Sequence, residues 1–270
     1  MSLIFTLRQK TGPEVDLSVL VPEALAGKSR GEIEALELRS GNRRLRLGAL
    51  FEVGGGEGEC LVIRNGASRL IRVGERMRDG EIRVEGDCGA FAGAGMRGGR
   101  LTIAGSAGDF AGCAMRGGVI EIRGNAGDFL GAALAGEGQG MRGGAIVVRG
   151  RAGDRVGDRM RRGLILIAGD AGAHCAARML AGTILVKGRL GESPGLALRR
   201  GSLLLARQPS SIPATFQDSG EHPFAFLTLL ERHLKTEGAP LADFVPLPRR
   251  ARRYCGDLAT GGFGEILVAI

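Results

Sequence analysis

Six methionines follow the initiator, at Met77, Met96, Met115, Met141, Met160 and Met179, with intervals of 19, 19, 26, 19 and 19; one more step of 19 reaches Leu198. This period constrains the fold more than any local preference, because a unit so short cannot close a core alone and must bury its apolar side against its neighbours. The 26-residue interval is one unit plus seven residues, inserted within 130–140. An insertion that leaves the flanking register intact has to bulge outward as a loop.

Each methionine leads into a short alternation, as in Met96-Arg97-Gly98-Gly99 followed by Leu101 and Ile103. The same step gives Ile82/Val84, Ile120/Ile122, Ile146/Val148, Ile165/Ile167, Ile184/Val186 and Leu203/Leu205, so one side of every predicted strand is branched aliphatic. A glycine frame follows each strand: Gly86/Gly89/Gly93, Gly105/Gly108/Gly112, Gly124/Gly127/Gly131, Gly150/Gly153/Gly157 and Gly188/Gly191/Gly195, while one coil has Gly169/Gly172 and then Ala176. The chain holds 48 glycines in 270 residues, well above a usual ~7%. With a 44% hydrophobic fraction and no Gly-X-Y period, this is neither a disordered linker nor collagen.

Helical hairpin repeats are excluded, since each glycine inside regular structure costs about 0.5–1 kcal/mol relative to alanine. Leucine-rich repeats lack their L-x-x-L-x-L frame, and calcium-binding nonapeptide repeats lack their G-G-x-G-x-D frame. The remaining architecture is an all-β parallel β-helix, a single-stranded solenoid of about seven coils of roughly 19 residues. Its glycines are expected at corners with positive φ or where backbones stack closely. Its methionines are expected to fill the core beside the aliphatic ladders.

Three segments are expected. Residues 1–60 form an N-terminal cap, with an alternating Leu3, Phe5, Leu7 stretch and a small helix from the capping box Ser29/Glu32 through Ile33 and Leu36. Residues 61–208 carry the repeats. Residues 209–270 form an extension with one helix over 223–235, bearing a stripe of Phe226, Leu227, Leu230 and Leu234, then a basic run and an apolar run over 266–270 that must dock on something.

The formal net charge is +8, carried by 33 Arg against 4 Lys. Arginine suits planar contacts with carboxylate or phosphate, so an acidic partner fits. Nucleic acid does not, because there is no Trp and only Tyr254, and the aromatics do not interleave with basic residues. No apolar window of membrane-spanning length and no signal-peptide pattern appear, so a cytoplasmic protein is expected, with no membrane partner. Cys60, Cys88, Cys113, Cys175 and Cys255 are odd in number and widely spaced, as reduced thiols would be. His174, His222 and His233 have no metal-ligand spacing, and no phosphate-binding loop is present; no catalytic residue, no metal ligand and no firm cofactor contact are assigned.

Two surface ladders follow from the period. Arg78, Arg97, Arg116, Arg142, Arg161 and Arg199 share the position after the methionine column, with Leu180 the exception. They are expected to form a solvated stripe, partly paired with Asp109, Asp128, Asp154 and Glu192, or to meet a carboxylate-rich partner. The outward side of the strands runs Arg83, Thr102, Glu121 and then Val147, Leu166, Leu185, Leu204. Four stacked aliphatics make a patch that monomers avoid, so the C-terminal helix or another subunit should cover it.

The frame with its M-R-G-G-x-I-x-I units resembles the β-helical domain shared by the C-terminal part of glutamate synthase and the C subunit of formylmethanofuran dehydrogenase. The flanks, from Leu25 to Leu36 and from Arg253-Tyr-Cys-Gly-Asp257 through Glu265, resemble that stand-alone C subunit over nearly the whole chain. The resemblance implies a right-handed coil and a non-catalytic scaffold. Its setting would be either a bacterial formyltransferase/hydrolase complex of tetrahydromethanopterin-linked formaldehyde oxidation or an archaeal tungsten or molybdenum dehydrogenase. The Arg-, Ala- and Gly-rich composition favours the bacterial setting. The implied partners are hydrolase-like, dehydrogenase-like and formyltransferase subunits, which would hold the metals and the methanofuran-type carrier. That carrier's glutamate-rich tail would make Arg97, Arg116, Arg142 and Arg161 candidate anionic-tail contacts. Rival readings are a glutamate-synthase-type structural subunit, and a β-helix lyase or acyltransferase; a lyase would need a charged groove with aromatic platforms.

Overall fold

The computed structural model describes residues 2–56 and 60–270. The repeats stack as a parallel solenoid within one thirteen-stranded sheet. Strands Glu81–Gly86, Arg100–Ile103, Val119–Ile122, Arg142–Val148, Arg162–Ile167, Thr183–Val186 and Arg200–Leu205 are the seven expected rungs. Three more parallel rungs lengthen the stack. Cys60–Gly66 and Ser2–Leu7 precede the seven, and Phe263–Ala269 follows Arg200–Leu205 as the last. The apolar run near the C-terminus therefore docks on the solenoid's own end, and the sheet continues across positions 60/61 and 208/209. Antiparallel strands close both ends: Phe51–Gly55 at one, Arg250–Gly256 and Gln217–Pro223 at the other.

Register holds at every inward aliphatic position, with irregularities at Arg142/Ala145 and at Arg64/Gly66. Ile120 pairs with Leu101 on one side and with Ile146 on the other, so the seven extra residues leave the aliphatic positions in step. They leave as a loop closed by Met141 N–H donating to Gly131 O at 2.9 Å. Inside the coil, Ile82, Leu101, Ile120, Ile146, Ile165, Ile184, Leu203 and Ile266 form one fully buried column. Met77, Met96, Met115, Met141, Met160, Met179 and Leu198 form another. On a second side, single-residue bridges join Cys88, Ala107, Ala126, Ala152, Ala171 and Leu190. Small residues there let the walls approach each other.

The glycine frame has two physical origins. At Gly127 a Cβ would fall on the Asp109 carboxylate and on the backbone of the preceding coil, so the residue is needed for close approach. At Gly112, with φ +62°, a Cβ would run into the Cδ1 of Ile146, two coils on. Left-handed backbone is not reserved for glycine, however. Phe91, Phe110, Phe129, Arg155, His174 and Ser193 occupy one equivalent corner with φ between 52° and 63°. Such a conformation costs a side-chain-bearing residue about 1–2 kcal/mol. It is held by coil-to-coil bonds such as Phe110 N–H to Asp128 O at 2.8 Å.

The terminal segments cover what the coil leaves open. A small sheet of Val15–Asp16, Glu37–Ser40, Arg43–Arg46 and Leu70–Ile71 lies beside the first coils. The Ser29/Glu32 capping box is present, but its helix spans Arg30–Glu34 and stops short of Leu36. At the other end the helix spans Ala225–Glu237, two residues later than the sequence suggests. Leu227, Leu230 and Leu234 are buried, whereas Phe226, at the stripe's margin, is exposed. With Leu241, Phe244 and Leu247 they cover Val147, Leu166, Leu185 and Leu204, which forms a second core outside the coil. The helix, not another subunit, thus buries the aliphatic half of the outer ladder. Arg149 pins the extension at its rim, reaching Glu121 at 3.1 Å and also pairing with Asp243.

Ala176 at the third frame position has its own logic. Gly112, Gly131 and Gly157 each face an isoleucine two coils on, whereas Gly74 faces Leu101, whose methyls leave 3.5 Å to a Cβ. The residue 27 positions after Ala176 is Leu203, so a leucine again leaves room for the extra methyl. Leu203→Ile should overpack this site and cost about 1–3 kcal/mol, and adding Ala176→Gly should recover most of the loss. Equal denaturation midpoints for the single and double variants would contradict this account.

Candidate functional site

The backbone places the arginine stripe as a true column. Arg97 N–H donates to Met77 O at 2.8 Å, Arg116 to Met96 O, Arg161 to Met141 O at 2.8 Å and Arg199 to Met179 O at 2.9 Å, each arginine one coil above the methionine it bonds, with Arg142 on the coil between Arg116 and Arg161 and Leu180 on the coil between Arg161 and Arg199. Arginines on adjacent coils, such as Arg97 and Arg116, are therefore about 4.8 Å apart along the stack, and Arg161 and Arg199 about twice that. Arg97, Arg116, Arg161 and Arg199 are exposed. Among the described residues none of these four forms an ion pair. Arg142 differs, being half-buried with Nη2 3.7 Å from Glu137 of the insertion loop. The loop thus divides the column into an early run, Arg78, Arg97 and Arg116, and a late one, Arg161 and Arg199.

The expected pairing of this stripe with Asp109, Asp128, Asp154 and Glu192 does not occur among the described residues. The three aspartates lie on a different corner and accept backbone N–H groups of the next coil. Asp109 accepts from Asp128 N at 2.9 Å, Asp128 from Asp154 N at 2.8 Å, and Asp154 from Ala173 N at 2.8 Å. A parallel set runs from Asp87 to Ser106 N at 2.7 Å, then through Ser106 Oγ and Asn125 Oδ1 to Arg151 N. A corner N–H has no strand partner, and an unpaired backbone donor is costly, so a side-chain acceptor from the coil before it takes that place.

A second column carries no charge and was not expected from the sequence. Phe91, Phe110 and Phe129 stack with ring centroids 5.2 and 4.7 Å apart, their planes nearly parallel. Arg72 lies 5.0 Å over one end and Arg155 5.9 Å over the other. Its signal was present, since phenylalanine recurs at the same 19-residue step. The insertion loop flanks these rings across a cleft of about 270 Å³ lined by Leu134, Asp158 and Arg178. Asp158 is buried and ion-paired to Arg178 and, at 3.6 Å, to Arg155. The rings are fixed parts of the wall.

Three thiols, Cys88, Cys113 and Cys175, are buried, and desolvation pushes each up to about 12, so none is a thiolate at neutral pH. His174 is in the corner column, His222 bonds the Ser219 carbonyl at 2.7 Å, and His233 lies 3.8 Å from Glu237. Among the described residues no three His, Cys, Asp or Glu side chains gather as a metal-holding group. No helix among them is long and apolar enough to cross a membrane.

No family model matches the chain. Over 83 residues, 31% of this chain and 31% of the relative, it is 46% identical to the C subunit of the formyltransferase/hydrolase complex Fhc of Methylorubrum extorquens. Over 96 residues it is 38% identical to the C subunit of the tungsten-containing formylmethanofuran dehydrogenase 2 of Methanothermobacter marburgensis, covering 33% of this chain and 36% of that one. These matched stretches span about a third of the curated relatives' length. A chain in the crystal structure of the formyltransferase/hydrolase complex FhcABCD from Methylorubrum extorquens, in complex with methylofuran, superposes with a TM-score of 0.92. It is 44% identical, and the match covers 99% of both chains.

Alkylation with iodoacetamide at neutral pH should modify only the half-buried Cys60 and Cys255 in the native chain, with Cys88, Cys113 and Cys175 reacting after denaturation. Peptide mass mapping reads this directly, and rapid native labelling of any of the three would contradict their burial.

Proposed function

This chain belongs to the family formed by the C subunits of formyltransferase/hydrolase complexes and formylmethanofuran dehydrogenases, and from that we infer that it is a non-catalytic scaffold subunit of a formyltransferase/hydrolase complex. The observation that carries the reading is the superposition on the FhcABCD chain over 99% of both lengths at 44% identity. Its setting is one-carbon metabolism linked to tetrahydromethanopterin, in the cytoplasm. Hydrolase-like, dehydrogenase-like and formyltransferase partners hold the metals and the methanofuran-type carrier.

A scaffold must keep partner sites at fixed separation. The stacked coils suit this, because every rung is bonded to two others and both ends of the sheet are closed by antiparallel strands. Stiffness comes from backbone pairing, so surface side chains are free to differ from coil to coil. The shorter matches to the tungsten enzymes support the same role in a dehydrogenase as the second reading.

The carrier's glutamate-rich tail would lie along the arginine column, with Arg97, Arg116, Arg142 and Arg161 as its contacts. Carboxylates and guanidiniums at these spacings make charge-assisted bonds without requiring a pocket. Arg142 would have to exchange its partner Glu137 for the tail, which makes Arg97 and Arg116 the cleaner pair to test.

Co-expression with the partner subunits should yield one complex that retains the carrier. Arg97→Glu with Arg116→Glu should leave assembly intact and reduce retained carrier at least tenfold at low salt, measured by mass spectrometry of the purified complex. Unchanged retention would sink the tail contact, and a chain that purifies alone despite its partners would sink the scaffold reading.

A further inference from the structure

The M-R-G-G unit changes in the late coils in a way the ladder alone does not explain. Two units read Met160-Arg161-Arg162-Gly163 and Leu198-Arg199-Arg200-Gly201, and the unit between them reads Met179-Leu180-Ala181-Gly182. The register Leu164–Thr183–Ser202, carried back along the three strands, places Leu180 between Arg161 and Arg199, and Ala181 between Arg162 and Arg200. Two pairs of guanidinium groups therefore flank a small apolar floor, two coil spacings or roughly 10 Å apart.

These residues line one groove of about 760 Å³, walled by Gly138 and Gln139 of the insertion loop on one side and by Thr260 and Phe263 of the C-terminal segment on the other. Among the described residues no carboxylate lines it. All four arginines are exposed, and among the described residues none of them has an ion-pair partner. Arg200 lies 5.6 Å over the Phe263 ring, and Phe263 is 73% exposed. Leu196 and Leu258, about half exposed, lie at the same end of the solenoid, where Asp257 caps Ala197 N–H.

Four like charges around a greasy floor gain nothing from one another, and a bare phenylalanine gains nothing from water. Unpaired arginines beside exposed aromatic and aliphatic side chains are the composition of an interface centre. We propose that this groove docks an acidic segment of a protein partner, with carboxylates on the two arginine pairs and one apolar side chain on the Leu180/Ala181 floor against Phe263. Charge complementarity selects the occupant: a second copy of this chain, itself strongly basic, would bring the wrong sign. The docking rests on the scaffold reading, which supplies the partner.

The test uses the complex co-expressed with its partner subunits. Arg162→Glu with Arg200→Glu, which spares the tail contact Arg161, and separately Phe263→Ser, should each weaken association at least tenfold by size-exclusion and native mass spectrometry. The thermal midpoint of the purified variant chain should stay unchanged, because these side chains are exposed. The wild-type complex should also loosen as salt rises. Assembly of both variants at wild-type strength would overturn the groove, whereas failure of the wild-type chain to assemble would overturn the scaffold reading instead. Free poly-L-glutamate is the competing probe: if the double charge reversal abolishes its binding while assembly stays intact, the groove serves an anionic tail and not a protein, and the docking proposal falls.

Discussion

The whole structure depends on how closely one coil can lie on the next. At the corners the gap is set by a glycine in one coil and a short acceptor in the coil before it, as with Gly127 and the Asp109 carboxylate. The acceptor occupies the space where a Cβ would stand and satisfies the backbone N–H that the corner exposes. Neither residue works without the other. A side chain at the glycine would separate the coils, and losing the acceptor would orphan a donor whose desolvation is not repaid.

From that spacing the columns follow. Coils held at a strand's distance bring equivalent residues into van der Waals contact, so aliphatics, methionines and phenylalanines each stack with their own kind. The same spacing fixes what the surface offers, since any charge written into the repeat becomes a line of charge. Only departures from the repeat make local sites. The insertion loop covers Arg142, and the Arg-Arg, Leu-Ala, Arg-Arg succession makes a groove where a uniform M-R-G-G would have left a flat stripe.

A solenoid has two open ends and, here, an apolar outer flank. Phe51–Gly55 caps the N-terminal end, and the segment after residue 208 serves the other end and the flank with a last parallel rung, two antiparallel strands and a helix over Val147, Leu166, Leu185 and Leu204. The sheet ends on Phe51–Gly55 and Gln217–Pro223, which run antiparallel to their neighbours and so do not offer the next coil a parallel rung. The basic groove and the early arginine run stay exposed.

The period, the inward aliphatics, the methionine column and the arginine column were legible in the residues, because a strict 19-residue step maps position directly onto height and direction in the coil. The need to cover Leu166 and Leu185 was legible too, since their exposure would be costly in any packing. What pairs with what was not. Asp109 and Arg116 are close in sequence and opposite in charge, yet they lie on different corners, and only the coil's cross-section shows the carboxylate meeting a backbone N–H. Phe91, Phe110 and Phe129 hid because their left-handed backbone is normally glycine's, and it is tolerated only where bonds between coils impose it. Spacing along the chain is enough to set the repeat and its inward face. Which rungs the chain ends add, and where the arginines converge, is settled only in the folded molecule, because both depend on contacts between segments far apart along the chain.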